Sequence, residues 1–185
     1  MHSTTLANVT LETVVLLNDQ GEAIGIRSKA DVHNQATPLH LAFSLYLFDD
    51  ADRVLLTRRA LTKKTWPGVW TNTCCGHPGP NESPEQAARR RLPQELGVTL
   101  ADLRPVLPNF SYTATDASGI VENEVCPVFA GRVHPQATVT PNTGEVMDWS
   151  WTSWEQLVAA VRATPFVFSP WAVAQVRELP RHPLH

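Results

Sequence analysis

The stretch from Trp66 to His77 reads WPGVWTNTCCGH, and it constrains this chain more than any other. Two indoles, a proline and two glycines make a rigid apolar turn that ends on a thiol and an imidazole, separated only by Gly76. Glycine adds no side-chain bulk, so another group or an ion can approach the backbone closely there. A thiol beside a histidine suits metal binding, nucleophilic attack or proton transfer. The same residues also suit a Trp- and Pro-rich surface loop with one buried thiol. The stretch alone does not choose between the two.

The rest of the chain must supply a core around this turn. Its 185 residues suit one domain. Residues 1–9 are expected as a flexible N-terminus, 10–180 as the single domain and 181–185 as a tail. Thr10 to Leu17 is rich in Val and Leu and predicts a strand; Asn18 to Gly21 turns it, and Glu22 to Arg27 returns. His40 to Phe48 (HLAFSLYLF) predicts one long apolar strand, turned at Asp49–Asp52 into a hairpin partner, Arg53 to Arg59. A loop follows from Ala60 to Thr73. Ser83-Pro84-Glu85-Gln86 combines a cap, a proline at the first helical position and a glutamine three residues after the cap. That helix should reach Leu96 and stop at Gly97, with Pro93 kinking or tightening its last turn. Leu103 to Thr113, Ile120 to Val133 and Glu145 to Thr152 read as strands. Ser153 and Ser169 each open a further helix, to about Arg162 and Leu179. Strands dominate, with helices between and after them, so the class is α+β with a mixed sheet.

Charge and cysteine usage narrow the partners. The formal net charge is -3, with 15 Lys and Arg, which argues against a general nucleic-acid binder. A small anionic substrate held by a few local cations stays compatible with it. The three cysteines are Cys74, Cys75 and Cys126. An odd number with two adjacent members does not make a disulfide framework and fits a reducing cytoplasm. No basic-then-apolar leader opens the chain, and no apolar run nears the ~20 residues needed to span a bilayer.

Of seven histidines, His2, His134, His182 and His185 fall in tails or loops and are expected to be solvated. His33, His40 and His77 have other ligand types beside them, although each taken singly also reads as a hydrogen-bonded structural histidine. Val121-Glu122-Asn123-Glu124-Val125 puts two glutamates on one face of a strand. Such like charges repel unless a cation lies between them or one is protonated. A solvated strand face is the other reading, but the apolar run Val125–Ala130 favours burial. Three imidazoles and two carboxylates together would suit an octahedral N/O site for Mn²⁺, Mg²⁺ or Zn²⁺.

Gly76 to Val98 resembles the Nudix box, a loop–helix–loop that binds a diphosphate through divalent metal. Gly76, Glu82, Arg90, Leu92, Glu95, Gly97 and Val98 fit it. Arg91 and Gln94 stand where diphosphate hydrolases of this superfamily keep two glutamates for metal and water, which counts against hydrolysis. From Thr13 to Val176 the chain resembles the type 1 isopentenyl diphosphate isomerases, which are Nudix-fold enzymes. The matching pieces are His40–Phe43, Thr57–Leu61, Lys63–Lys64, Trp66–Asn72, Cys75–Pro78, Glu95–Gly97, Gly119–Val125 and Phe168–Trp171.

The resemblance implies a Nudix fold: a mixed β-sheet sandwiched between helices, with an N-terminal β extension. It implies movement of a double bond in a five-carbon diphosphate, from isopentenyl to dimethylallyl diphosphate, through a tertiary carbocation. Cys75 and Glu124 match the two proton-transfer residues, on opposite faces of the substrate, and Glu124 would be acid and metal ligand at once. Tyr112 matches a tyrosine that hydrogen-bonds near that glutamate, and Trp171 an indole facing the hydrocarbon. His33, His40, His77, Glu122 and Glu124 match the ligands of one divalent metal. Glu95 and the backbone carbonyl of Cys75 match a second site, whose Mg²⁺ would bridge to the diphosphate. Lys29, Arg59, Lys63 and Arg91 match cations around the diphosphate, with Arg58 as suitable as Arg59 by strand position. The expected partner is the small diphosphate alone, with no nucleic acid and no membrane, in a cytoplasmic monomer or weak homodimer. A Nudix diphosphate hydrolase is the alternative.

Overall fold

The structure, a computed structural model, describes residues 12–179 and 181–185. The expected flexible N-terminus, residues 1–9, lies outside the described residues, as does the beginning of the first expected strand. In chain order the strands are β1 (Thr13–Leu17), β2 (Ala23–Ser28), β3 (His40–Leu41), β4 (Phe43–Phe48), β5 (Arg53–Arg59), β6 (Trp70–Thr71), β7 (Cys74–Gly76), β8 (Arg104–Leu107), β9 (Ser111–Thr115), β10 (Val121–Val125), β11 (Val128–Arg132) and β12 (Val146–Ser153). The helices are α1 (Lys29–Val32), α2 (Pro84–Leu96), α3 (Trp154–Ala163) and α4 (Pro170–Glu178), with a 3₁₀ turn at Pro165–Val167.

The two long strands expected at residues 40–48 and 120–133 are each broken once. They nonetheless run side by side, parallel, in one register throughout. His40 faces Glu124 and Leu41 faces Val125 before the break, and Ser44 faces Val128 through to Phe48 facing Arg132 after it. At the break Ala42 N donates to Val125 O at 2.9 Å and Ser44 N to Pro127 O at 3.1 Å. Pro127 has no N–H to return, so the ladder loses a bond and the chain can bend. There the pair passes from a five-stranded sheet, ordered β2-β1-β3-β10-β9, into a second sheet, ordered β12-β5-β4-β11-β8. The expected strand at 103–113 likewise divides into β8 and β9, one in each sheet. The mixed sheet of the sequence reading is therefore two sheets that fork along a shared parallel pair.

Side chains along β4 alternate between two layers, as a period of two requires. Phe43, Leu45 and Leu47 pack with Ala87, Ala88, Leu92 and Leu96 of α2. Tyr46 and Phe48 pack with Trp154, Leu157 and Val161 of α3 and with Trp171, Ala172 and Val176 of α4. The hairpin expected between β4 and β5 is brief. Only Phe48 and Val54 pair, and β5 runs instead against β12. The loop expected at 60–73 contains β6, which pairs with β5, and the thiol–histidine turn continues into β7, which pairs with β4.

Helix α2 opens with the expected capping box between Ser83 and Gln86 and runs through Pro93 to Leu96. An interior proline costs ~3 kcal/mol. Burial of Leu92 and Leu96, at ~1.5–3 kcal/mol each, together with a cap worth ~1 kcal/mol, offsets it. Gly97 then ends the helix in the left-handed region, at φ 68°, and its N–H bonds Pro93 O at 3.0 Å. Thr140 N and Asn142 N cap the carbonyls of Leu96 and Glu95, each at 2.8 Å. At the other end of the chain the tail does not stay in solvent. The ring of His182 packs 4.5 Å from that of Phe48, and Arg104 donates to Pro183 O at 2.7 Å.

A Cβ on Gly97 would sit 1.9 Å from Thr140 Oγ1. Left-handed backbone already costs a residue with a Cβ ~1–2 kcal/mol. Gly97→Ala is therefore expected to lower unfolding stability by at least ~2 kcal/mol, read as a lower midpoint in urea with an unchanged slope.

Candidate active site

The fork in the sheets brings the expected metal ligands together. His40 opens β3, Glu124 faces His40 from β10, His77 follows β7, and His33 follows α1. The three imidazole rings lie 5.1–5.4 Å apart, centre to centre. His40 Nδ1 donates to Pro38 O at 2.9 Å, which fixes its tautomer and leaves the Nε2 lone pair inward. That Nε2 lies 3.3 Å from His77 Nε2 and 3.4 Å from Glu124 Oε1, and His77 Nε2 lies 3.0 Å from the same oxygen. His33 Nε2 is 3.0 Å from Glu122 Oε2, yet both atoms are buried and neither makes a hydrogen bond among the described residues. Thr65 Oγ1 occupies the other oxygen, Glu122 Oε1, at 2.6 Å.

Inward lone pairs on several bases at about 3 Å need a cation or shared protons between them. Buried imidazoles, one of them tethered through its far nitrogen, and an unbonded carboxylate oxygen are what a divalent ion with N and O preference requires. The residues fit such an ion, with His33, His40, His77 and Glu124 as the tight group and Glu122 beside it. Burial works against the charge of Glu124, but its contacts with His40 and His77 outweigh it and hold this carboxyl well below its ordinary range. Burial also lowers His77, whereas at His40 the contact with Glu124 overrides burial and raises the imidazole.

Cys75 lies beside this group on β7, half-buried, opposite Ser44 in the β4 register. Its thiol donates to Asn72 Oδ1 at 3.1 Å and lies 3.4 Å from Ser44 Oγ. Asn72 is fully buried, and its amide nitrogen donates to Leu45 O and Cys74 O, which leaves no doubt which end is oxygen. That oxygen also accepts from Thr71 Oγ1 at 2.8 Å and from the indole Nε1 of Trp171 at 3.0 Å. One carboxamide thus orients both the thiol and the indole. Burial pushes the Cys75 thiol up to about 11 despite easing contacts from Ser44 and Asn72, so it rests protonated at neutral pH. Cys74 points into the core under α2 and is inert packing.

A cavity of about 510 Å³ opens onto these groups. Cys75, Tyr112, Glu122, Glu124 and Trp171 line it, together with Lys29, Arg59, Lys63 and Arg91. Tyr112 faces Glu124 across β9–β10, and its ring centre is 5.7 Å from that of Trp171. Trp66 meets the same indole edge-on at 5.5 Å, a packing role. Of the two candidate arginines, Arg59 faces the cavity, 5.3 Å from the Trp171 ring centre, while Arg58 turns away to bond Gly68 O at 2.8 Å. Lys63 pairs with Glu145, and burial is overcome there by Lys63 and Arg91, which bring Glu145 down to about 2. Glu95 stands apart from the histidines. Arg91 Nη2 holds its Oε1 at 2.5 Å, and it borders a separate small cavity with Cys75 and Glu145.

The residues expected at the site therefore line one cavity except His40, which is buried behind His77 and Glu124, and Glu95, which borders the separate small cavity. Glu12, Ser44, Thr65, Asn72 and Glu145 also touch the site and were not expected there. Ser44 is the one polar residue inside HLAFSLYLF after its histidine, and Asn72 sits in the apolar turn, so each carried a faint signal. Glu12, Thr65 and Glu145 carried none.

The NUDIX domain family matches residues 38–172 of the chain. The fold agrees: a crystal structure of a Deinococcus radiodurans protein superposes with a TM-score of 0.71 at 20% identity, covering 92% of this chain and all of that one. The MutT protein from Methanosarcina mazei superposes at 0.61, also at 20% identity, covering 78% of this chain and 94% of its own. The curated isopentenyl-diphosphate Delta-isomerase of Mycolicibacterium vanbaalenii is 58% identical over 90% of this chain and 91% of its own length. That of Brevibacterium linens is 53% identical over 91% and 92%. The chain belongs to the isopentenyl-diphosphate Delta-isomerase family.

Two outcomes follow from this geometry. Mn²⁺ added to metal-stripped protein at a hundred times its dissociation constant should stabilise the fold by ~2.7 kcal/mol and raise Tm by roughly 5–10 °C, and His40→Ala should abolish the shift. Alkylation of Cys75 by iodoacetamide, followed by mass spectrometry, should accelerate about tenfold per pH unit between pH 7 and 10, because only the thiolate reacts. A plateau near pH 8 would contradict the buried, neutral thiol.

Proposed function

We propose that this chain interconverts isopentenyl and dimethylallyl diphosphate, with Cys75 and Glu124 as its proton-transfer pair. The observation that carries the reading is the content of one cavity: the Cys75 thiol, the Glu124 carboxyl, an indole face and five lysine and arginine cations, Lys64 among them. The reaction adds a proton to the terminal alkene carbon, C4, using the π pair to make the C–H bond. The carbon left behind, C3, is a tertiary cation. Loss of a proton from C2 returns that bond's electron pair as the new double bond. One side chain must give a proton and another must accept one. Burial favours a neutral Cys75 and the imidazoles favour a charged Glu124, whereas the family resemblance gives Glu124 the acid's part. The reaction is reversible, so a neutral Cys75 beside a charged Glu124 is the state that starts the return direction, in which Cys75 gives its proton to C2 and Glu124 takes one from C4. In the forward direction Glu124 gives the proton to C4 and Cys75 takes one from C2.

Each remaining group meets one demand of that path. Lys29, Arg59, Lys63 and Arg91 bind the diphosphate at the charged wall, which aims the hydrocarbon at Trp171 and Tyr112. An indole face attracts a cation by ~0.5–2 kcal/mol, so it favours the carbocation over the alkene. Asn72 keeps indole and thiol in fixed relation. A divalent ion held by His33, His40, His77, Glu122 and Glu124 would fix Glu124 and lower its proton affinity. Mg²⁺ held by Glu95 and the Cys75 carbonyl would neutralise diphosphate charge, and the space beside Glu95 and Glu145, about 20 Å³, suits a single ion. The cavity's lining among the described residues comes from one chain, which supports action as a monomer or weak homodimer. No helix among the described residues is long and apolar enough to cross a membrane, which accords with a cytoplasmic enzyme.

Diphosphate hydrolysis is the competing chemistry, and Arg91 argues against it. It places a buried cation on the box helix where hydrolysis needs a carboxylate for metal and water. One experiment separates the two: Mg²⁺, Mn²⁺ and isopentenyl diphosphate in D₂O, followed by NMR. Carbon-bound deuterium in the allylic isomer, without free phosphate, is expected. Phosphate release without isomer would overturn the reading. Cys75→Ala and Glu124→Gln should each lower turnover by at least ~10²–10⁴-fold with the fold intact, and near-native turnover in either would remove that residue from the pair.

A further inference from the structure

Glu12 already occupies the charged wall. Its Oε2 lies 2.5 Å from Lys29 Nζ and its Oε1 lies 3.0 Å from Arg91 Nη1. One carboxylate thus bridges two of the five lysine and arginine cations that face the cavity, as two oxygens of a phosphoryl group would. The contacts around Arg91 are not alike. Glu95 holds Nε and Nη2 from the next turn of α2 and is buried, and Glu145 reaches Nη2 at 3.2 Å. Those two carboxylates fix the guanidinium from behind. Glu12 takes the remaining nitrogen, Nη1, which also donates to Gln94 Oε1 at 3.3 Å, and the Glu12 side chain is 47% exposed. Its backbone is tied down, since Lys29 N donates to Glu12 O at 2.8 Å and Thr13 pairs with Ser28. The carboxylate can therefore leave by side-chain rotation alone, with β1 in place. Burial favours its neutral form, but Lys29 and Arg91 prevail and keep it charged.

We propose that Glu12 is an internal competitor for the diphosphate: it fills the position between Lys29 and Arg91 and must swing out before phosphoryl oxygens can bind there. This rests on reading Lys29 and Arg91 as diphosphate ligands. A carboxylate in that place weakens every anion that needs both cations, and it keeps a buried guanidinium paired between turnovers. Removing its charge should tighten binding, an outcome that loss of a merely structural contact does not produce.

The test is calorimetric titration of inorganic pyrophosphate with excess Mg²⁺ into the full chain, Glu12→Gln and Arg91→Gln. Glu12→Gln is expected to bind about tenfold tighter than the unaltered chain at 0.1 M salt, the scale of two partly exposed ion pairs plus relief of like-charge repulsion. Arg91→Gln should bind at least tenfold more weakly. Unchanged or weaker binding in Glu12→Gln, with Arg91→Gln still impaired, would overturn the competitor and leave the diphosphate reading standing. Undiminished binding in Arg91→Gln, or no binding to either of the other two proteins, would overturn the diphosphate reading and the competitor with it.

Discussion

His40 and Glu124 face each other across a parallel pair of strands just before that pair divides between two sheets. The division is what makes a cavity. Above it, the two strands lie in the five-stranded sheet, and below it they form the buried centre of the other. A buried carboxylate against buried imidazoles is unfavourable in an apolar interior unless each group has a partner. Here the partners are supplied by the same break: the strand ends release side chains from the ladder's faces and let three elements converge from outside it. Packing by α2 on one face and by α3 and α4 on the other holds the fork rigid.

On the thiol side the organising atom is Asn72 Oδ1. A carbonyl oxygen has two lone-pair directions, and three donors crowd this one. The thiol is the weakest of the three donors and the one with another neighbour, Ser44 Oγ, which Gln175 of α4 in turn supports at 2.9 Å. The S–H can therefore turn between Asn72 and Ser44 while the hydroxyl and indole stay put. A proton-transfer group that must point at substrate benefits from such a shallow hold.

Much of this was legible in the residues. The capping signals placed α2, α3 and α4 to within a residue or two, because caps are local chemistry. The clustering of the three histidines with Glu124 was legible because the order of motifs carried it, and strand alternation put Glu122 and Glu124 on one face. What sequence did not show was the fork. Apolar runs 40–48 and 120–133 look continuous, and a change of sheet midway depends on pairing partners far along the chain. Pro127 was the only local sign of it. Glu12 and Glu145 were likewise invisible, since a carboxylate's role here depends on which cation the fold sets beside it. The reading of His182 as solvated failed for a similar reason: the exposed edge of Phe48 that it covers exists only in the folded sheet.

The unbroken register of the central pair limits how this chain can vary. Length changes in the loops between Phe48 and Val121 leave the pairing of His40 with Glu124 untouched. One residue inserted or deleted within either long segment would slide the two past each other, turn every alternate side chain to the wrong layer and part the imidazole from the carboxylate. The histidine–glutamate cluster and core packing are thus written into the same spacing, so neither can drift in evolution without dismantling the other.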